Sequence, residues 1–133
     1  MSDEKKKILV PTDFTKVADC AMNHAMKLAE RTGAEVCLFH VVDKPAHIEE
    51  VLTKLNMEVD RARVWSSKVT VTPLVRVGSV YEDIGDAAAE IGATLIIMGT
   101  HGMRGMQFIT GSRALRVITN STVPFIVVQE RNV

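Results

Sequence analysis

The residues best suited to hold a ligand lie between Leu95 and Arg116, in the stretch LIIMGTHGMRGMQFITGSRALR. Gly99, Gly102, Gly105 and Gly111 space out a loop in which main chain can approach a ligand with no side chain between them. Ser112 follows where a helix must begin, because Ala114, Leu115, Val117 and Ile118 have helical apolar spacing. Free amides at such a start attract anions, phosphate above all. Arg104 and Arg113 flank the loop, where a guanidinium can pair with phosphate oxygens; as solvated surface charges they would serve no ligand. The chemistry indicated is nucleotide binding rather than group transfer. The stretch Gly105 to Ser112 has one residue too many between its glycines for a P-loop, and no lysine follows. No G-x-S-x-G elbow and no evident acid and base pair accompany it, so the chain is read as a non-enzyme. Slow hydrolysis of a bound nucleotide, by positioning and Mg²⁺ alone, stays open.

Other candidate residues have plainer readings beside the chemical ones. Asp13, after Pro11 and Thr12, is suited either to a ligand hydroxyl or to the amides that open the next helix. His40 lies inside an apolar strand and reads as a satisfied core histidine. His101 sits in the glycine loop without the partners a metal needs, and His24 and His47 fall on helices, so no metal site is expected. Met98, Met103 and Met106 crowd the loop as gap-filling side chains. Cys20 and Cys37 form no C-x-x-C pair and read as reduced thiols.

Stepping outward, Leu95 to Met98 is an apolar run typical of a strand buried on both faces. KILVP, from Lys7 to Pro11, is another strand, followed by a turn over Thr12–Thr15. Helical spacing from Lys16 to Arg31 ends at Gly33, suited to a left-handed cap. Glu35 to Val42 is a second buried strand, and one amphipathic helix is expected between Pro45 and Ser67. Val69 to Val77 alternates, and Pro73 pushes it to the sheet edge. Ser79 and Glu82 form a capping-box pattern for a helix stopping near Gly92, and Thr94 opens the fourth strand. A helix from Ser112 to about Thr119 and a strand from Val123 to Gln129 complete the chain.

Strands alternating with helices of this length pair in parallel through right-handed crossovers. The expected fold is one α/β domain over residues 1–133: a three-layer α/β/α sandwich with a five-stranded, mostly parallel, Rossmann-like sheet. Asp13, Val41 and Gly99 all fall at carboxyl ends of strands, where such sheets bind ligands.

Sixteen basic and sixteen acidic side chains cancel, which argues against nucleic acid or an anionic membrane as partner. Lys5, Lys6 and Lys7 read as a solvated lead-in to the first strand. No apolar stretch approaches a bilayer span, and MSDEKKK is unlike a secretory signal, so a cytoplasmic location is expected.

Taken together, ILVPTDF, LFHVVD, V-x-V-G-S, LIIMGTHG, the later GS and VPFIVV resemble the universal stress protein family over essentially the whole chain. The resemblance implies the adenine nucleotide alpha hydrolase-like variant of the fold and a stress-response protein. It also implies an ATP cradle of the form G-x-x-G, nine residues, then G-S or G-T. Gly99 and Gly102 would be its first pair and Gly111 and Ser112 its second, with Met98, Arg104, Gly105 and Arg113 alongside. Asp13 would bond the ribose, and Pro11, Thr12 and the Val41 backbone would line the adenosine end. ATP, with Mg²⁺ as its companion, is the implied ligand, and a homodimer through residues 123–129 the implied assembly. An apolar strand at a sheet edge is in any case an open pairing template.

The chain departs from the pattern at one place. Eight residues, MRGMQFIT, separate Gly102 from Gly111 where the cradle has nine. A missing residue shortens the loop's reach by up to about 3.3–3.6 Å. Either Gly105 lets the loop take a tighter path to the same end, or the pocket is vestigial and the protein acts only through protein contacts.

Overall fold

The computed structural model describes residues 6–100 and 121–129. The described elements run β1 (Lys7–Pro11), α1 (Lys16–Thr32), β2 (Glu35–Val42), a 3₁₀ turn (Pro45–His47), α2 (Ile48–Trp65), β3 (Val71–Val77), α3 (Val80–Ile91), β4 (Ala93–Thr100) and β5 (Phe125–Gln129). They form one five-stranded sheet in the order β3-β2-β1-β4-β5, with every neighbouring pair parallel. The expected α/β fold is the one observed, and β3 lies at an edge as Pro73 requires.

Alternation along the strands divides the core between two faces. Ile8, Val10, Val36 and Leu38 pack with Ala21, Ala25 and Met26 of α1 and Val51, Leu55 and Val59 of α2. Leu9, Cys37, Phe39, Ile96 and Met98 pack on the other face with Ile84, Ala87 and Ala88 of α3. Strands buried from both sides explain why their sequences show apolar runs rather than clean alternation.

Helix ends follow local chemistry. Thr15 has extended backbone, and its hydroxyl accepts from the Ala18 amide to cap α1. Gly33 and Gly92, at φ 78° and 74°, close α1 and α3 in the left-handed region. Pro45, lacking an N–H, starts the segment after β2 as a 3₁₀ turn before α2, so the single helix expected from Pro45 to Ser67 is a turn and a shorter helix. Trp65, in the last turn, is half exposed although its helical spacing from Ala62 continues the apolar stripe of Val51, Leu55 and Val59.

The capping box at Ser79 is corrected. The Ser79 side chain makes no capping bond; its amide instead donates to Asp83 Oδ2 at 2.6 Å. Asp83 is held there by Arg76, 3.7 Å away, which also pairs with Glu90. Smaller differences concern boundaries: β3 begins at Val71 rather than Val69, β4 at Ala93 rather than Thr94, and β5 at Phe125 rather than Val123. The helix expected from Ser112 lies outside the described residues.

Candidate functional site

In the order β3-β2-β1-β4-β5, successive strands are laid down to one side of β1 and then, from β4 onward, to the other. The carboxyl ends of β1 and β4 therefore flank the point where strand order reverses, which is where open α/β sheets hold ligands. Pro11 and Thr12 leave β1 buried, Asp13 follows half-buried, and Met98 and Gly99 approach the end of β4.

The turn after β1 is fixed by a dense set of bonds. The Thr12 amide donates to the Phe39 carbonyl at 2.8 Å, and the Thr12 carbonyl lies 2.6 Å from His40 Nδ1. A carbonyl only accepts, so Nδ1 carries the hydrogen of this bond. Thr12 Oγ1 accepts from the Phe14 amide at 3.0 Å. Phe14 has φ 66°, a left-handed conformation that costs a non-glycine residue about 1–2 kcal/mol. Its ring is held against His40, with centroids 5.1 Å apart, and Lys54 Nζ lies 5.5 Å from the Phe14 centroid.

Asp13 divides its work between its two oxygens. Oδ1 accepts from the Thr15 amide at 3.2 Å and from the Thr15 hydroxyl, building the turn that precedes α1. Among the described residues, Oδ2 is the one buried side-chain oxygen without a hydrogen-bond partner. A buried acceptor left in this way is destabilising by about 1–3 kcal/mol, and a ligand hydroxyl would satisfy it.

Gly99 and Met98 have packing duties at the same crevice. A Cβ on Gly99 would lie 2.5 Å from the Val17 carbonyl oxygen, so the glycine lets the first turn of α1 lie against β4. The Met98 side chain is fully buried in the core facing α3, leaving only its main chain for a ligand. Val41 is half-buried near the end of β2, with its side chain packed toward that same core. Gly102, Arg104, Gly105, Gly111, Ser112 and Arg113 lie outside the described residues, as does His101.

Other openings lie among the described residues. A cleft of about 380 Å³ beside the end of β2 is lined by His40, Val41, Asp43, His47 and Glu50, with His47 Nδ1 3.0 Å from Asp43 Oδ1. A groove of about 260 Å³ between α1 and α2 is lined by Met22, Met26, Ala62 and Trp65 together with Asp19, Asn23, Glu58 and Arg61, on the helix layer and away from the strand ends. Among the described residues no cluster of three or more His, Cys, Asp or Glu can hold a metal, and no helix is long and apolar enough to cross a membrane. Cys37 is buried, and desolvation pushes its thiol pKa up, opposed by a hydrogen bond with Thr72 and by the charge of Lys7.

His40 is hydrogen-bonded as expected, but it is half-buried rather than part of the core, and sequence reasoning missed its partner, the turn carrying Asp13. The available signal was registry: Pro11 pairs with Phe39, so the next residue of β2 lies beside the chain leaving β1.

The model of the universal stress protein family matches residues 5–129. The chain belongs to the universal stress protein family. A universal stress protein of Methanocaldococcus jannaschii is 29% identical over 161 residues, covering 99% of each chain. A second from that organism is 34% identical over 142 residues, covering 94% of this chain and 82% of its own. The solved structure of the first superposes with a TM-score of 0.70 at 30% identity, covering 96% of this chain and 98% of the other. The fold is shared with the universal stress protein from Archaeoglobus fulgidus solved in complex with dAMP, at a TM-score of 0.74 and 22% identity, over 96% and 99% of the two chains.

Proposed function

We propose that this universal stress protein binds an adenine nucleotide at the carboxyl ends of β1 and β4 and acts as a stress-response regulator rather than an enzyme. The observation that carries this reading is Asp13 Oδ2, a buried acceptor with no partner among the described residues, at the point where strand order reverses. An ionised carboxylate oxygen only accepts, so it suits a ribose hydroxyl better than a phosphate. Members of the family solved with cAMP and with dAMP support the adenine class. Pro11, Thr12 and the Val41 backbone would line the adenosine end, while the phosphates would lie toward Gly99, Gly102, Gly111 and Ser112. Arg104 and Arg113 would flank them, with ATP and Mg²⁺ the fullest occupant of such a cradle.

The ligand in this reading is a signal. A nucleotide that prefers one arrangement of the glycine loop shifts the population toward it and changes the surface offered to partners. The protein would work in the cytoplasm as a homodimer paired through β5, whose Ile126 and Val127 are 44% and 45% exposed.

The test is direct. The purified protein is denatured to release small molecules, which are identified by mass, and the stripped protein is titrated calorimetrically with AMP, cAMP and MgATP. Bound nucleotide, or saturable heat with any of the three, supports the reading. Neither one leaves a family member that acts through protein contacts alone, the outcome favoured by the eight-residue spacing between Gly102 and Gly111.

A further inference from the structure

We infer that His40 is the positioning residue of the nucleotide site: it touches no ligand, but it fixes the peptide that carries Asp13. The inference rests on the adenine-nucleotide reading above and adds a residue that the glycine pattern does not contain.

Two consecutive residues of β2 hold the main chain of Thr12 from both sides. The Phe39 carbonyl takes its amide at 2.8 Å and the His40 imidazole takes its carbonyl at 2.6 Å. The Thr12 carbonyl belongs to the planar peptide whose nitrogen is that of Asp13, so fixing its direction fixes the orientation at which Asp13 leaves the strand. On the far side of Asp13, Phe14 is held in the left-handed region with its ring against His40. A strained backbone persists only where its surroundings over-determine it, and here one imidazole acts twice, by its Nδ1–H on Thr12 and by its ring contact with Phe14. Asp13 is thus bracketed by two residues that His40 contacts, and the result is a carboxylate with Oδ1 engaged and Oδ2 without a partner among the described residues. Removing the Nδ1 donor frees the Thr12–Asp13 peptide to rotate, and Oδ2 then turns toward solvent or toward free amides of the α1 end.

The two contacts of His40 are separable by substitution. In His40→Asn the amide nitrogen stands near the place of Nδ1 and keeps the bond to Thr12. In His40→Phe a ring remains against Phe14, but the donor is lost. The readouts are amide hydrogen exchange at Phe14 and Thr15 in the ligand-free protein, affinity for AMP and MgATP by calorimetry, and thermal unfolding. His40→Phe is expected to speed exchange at Phe14 and Thr15 about tenfold and to weaken nucleotide binding about tenfold, the scale of one lost hydrogen bond. Exchange at Leu9 and Val10 in β1 should stay unchanged. His40→Asn should recover most of both effects, which a role in bulk packing would not produce.

Wild-type exchange at Phe14 and Thr15 in His40→Phe, with undiminished affinity, overturns the inference. So does equal loss in the Asn and Phe variants. Should His40→Phe fail to fold, nitrogen NMR of the wild-type imidazole decides: a protonated, slowly exchanging Nδ1 supports the bond and an unprotonated Nδ1 refutes it. Absence of nucleotide binding in the wild type itself would defeat the proposed function, while the exchange comparison would still decide whether His40 holds the turn.

Discussion

Gly99 of β4 and Val17 of α1 are in such close contact that a methyl group on the glycine would lie 2.5 Å from the Val17 carbonyl oxygen. Val17 backbone, with a methyl of its side chain beside it, occupies that space, so rotation of the side chain alone cannot clear it. Gly99→Ala is therefore expected to destabilise the protein by about 1–3 kcal/mol, the usual range for overpacking, whether or not nucleotide is present. Urea unfolding of the ligand-free variant measures it. An unchanged midpoint would show that α1 can withdraw freely from β4.

Asp13 permits a sharper separation of folding from binding. Asp13→Asn can keep Oδ1 facing Thr15 while replacing the free acceptor with an NH₂ donor, which cannot take a ribose hydroxyl proton. Its affinity for adenine nucleotide should fall about tenfold or more, as for a lost hydrogen bond to a charged group, with a melting temperature close to that of the wild type. Asp13→Ala should lose affinity and also stability, by about 1 kcal/mol, because the turn before α1 loses its acceptor. Calorimetric titration and thermal unfolding of the pair check both halves. Equal affinity in Asp13→Asn would remove Oδ2 from the site.

Cys37 gives a pH dependence with a definite sign. Burial raises its pKa in the folded protein above the ordinary 9.0. The unfolded chain then releases its proton first, so the contribution is fully present below pH 9 and is lost as pH rises through the higher folded value. Cys37→Ser should flatten the alkaline limb of a stability profile measured between pH 8 and about 11. The native thiol should react with disulfide reagents far more slowly than the unfolded one.

At β5, Ile126 and Val127 point to opposite faces of an edge strand and are each nearly half exposed. If the homodimer pairs there, Val127→Asp sets like charges across the twofold axis and should convert it to monomer in sedimentation at micromolar concentration. A dimer that survives this change uses another surface.

Loop length can be tested independently of the crevice. Inserting one residue between Gly105 and Gly111 restores the nine-residue spacing and should create or strengthen MgATP binding if reach is the obstacle. Unchanged affinity would show that the shorter spacing is not what limits binding.

Much of the architecture is legible in sequence because the governing forces are local or periodic. The apolar runs at Leu9, Leu38 and Ile96 declare strands covered from both sides, and Gly33 and Gly92 mark helix ends through a left-handed conformation that other residues resist. What escapes is decided by distant partners. Ser79 carries a capping-box pattern, yet Asp83 takes its amide because Arg76, on the neighbouring strand, holds that carboxylate nearby. His40 looks like core because its partner Thr12 is 28 residues away and is reached only through strand registry. No propensity announces a left-handed Phe14; ring contacts with His40 and Lys54 support it. At the candidate site, sequence places Asp13, Val41 and Gly99 at strand ends, and the structure agrees. It also adds what spacing could not express, that one oxygen of Asp13 is consumed by the fold and the other is not.

That division of one carboxylate has a consequence for anyone comparing descendants of this chain. A lineage that gave up its ligand would still be selected to keep an aspartate or asparagine at position 13, because without that side-chain oxygen the first helix loses its lead-in. Persistence of the oxygen is therefore poor testimony to nucleotide binding. Drift at residue 40 would speak more plainly, since relaxation there loosens the turn that aims the carboxylate, a change tolerable once no ligand has to be met.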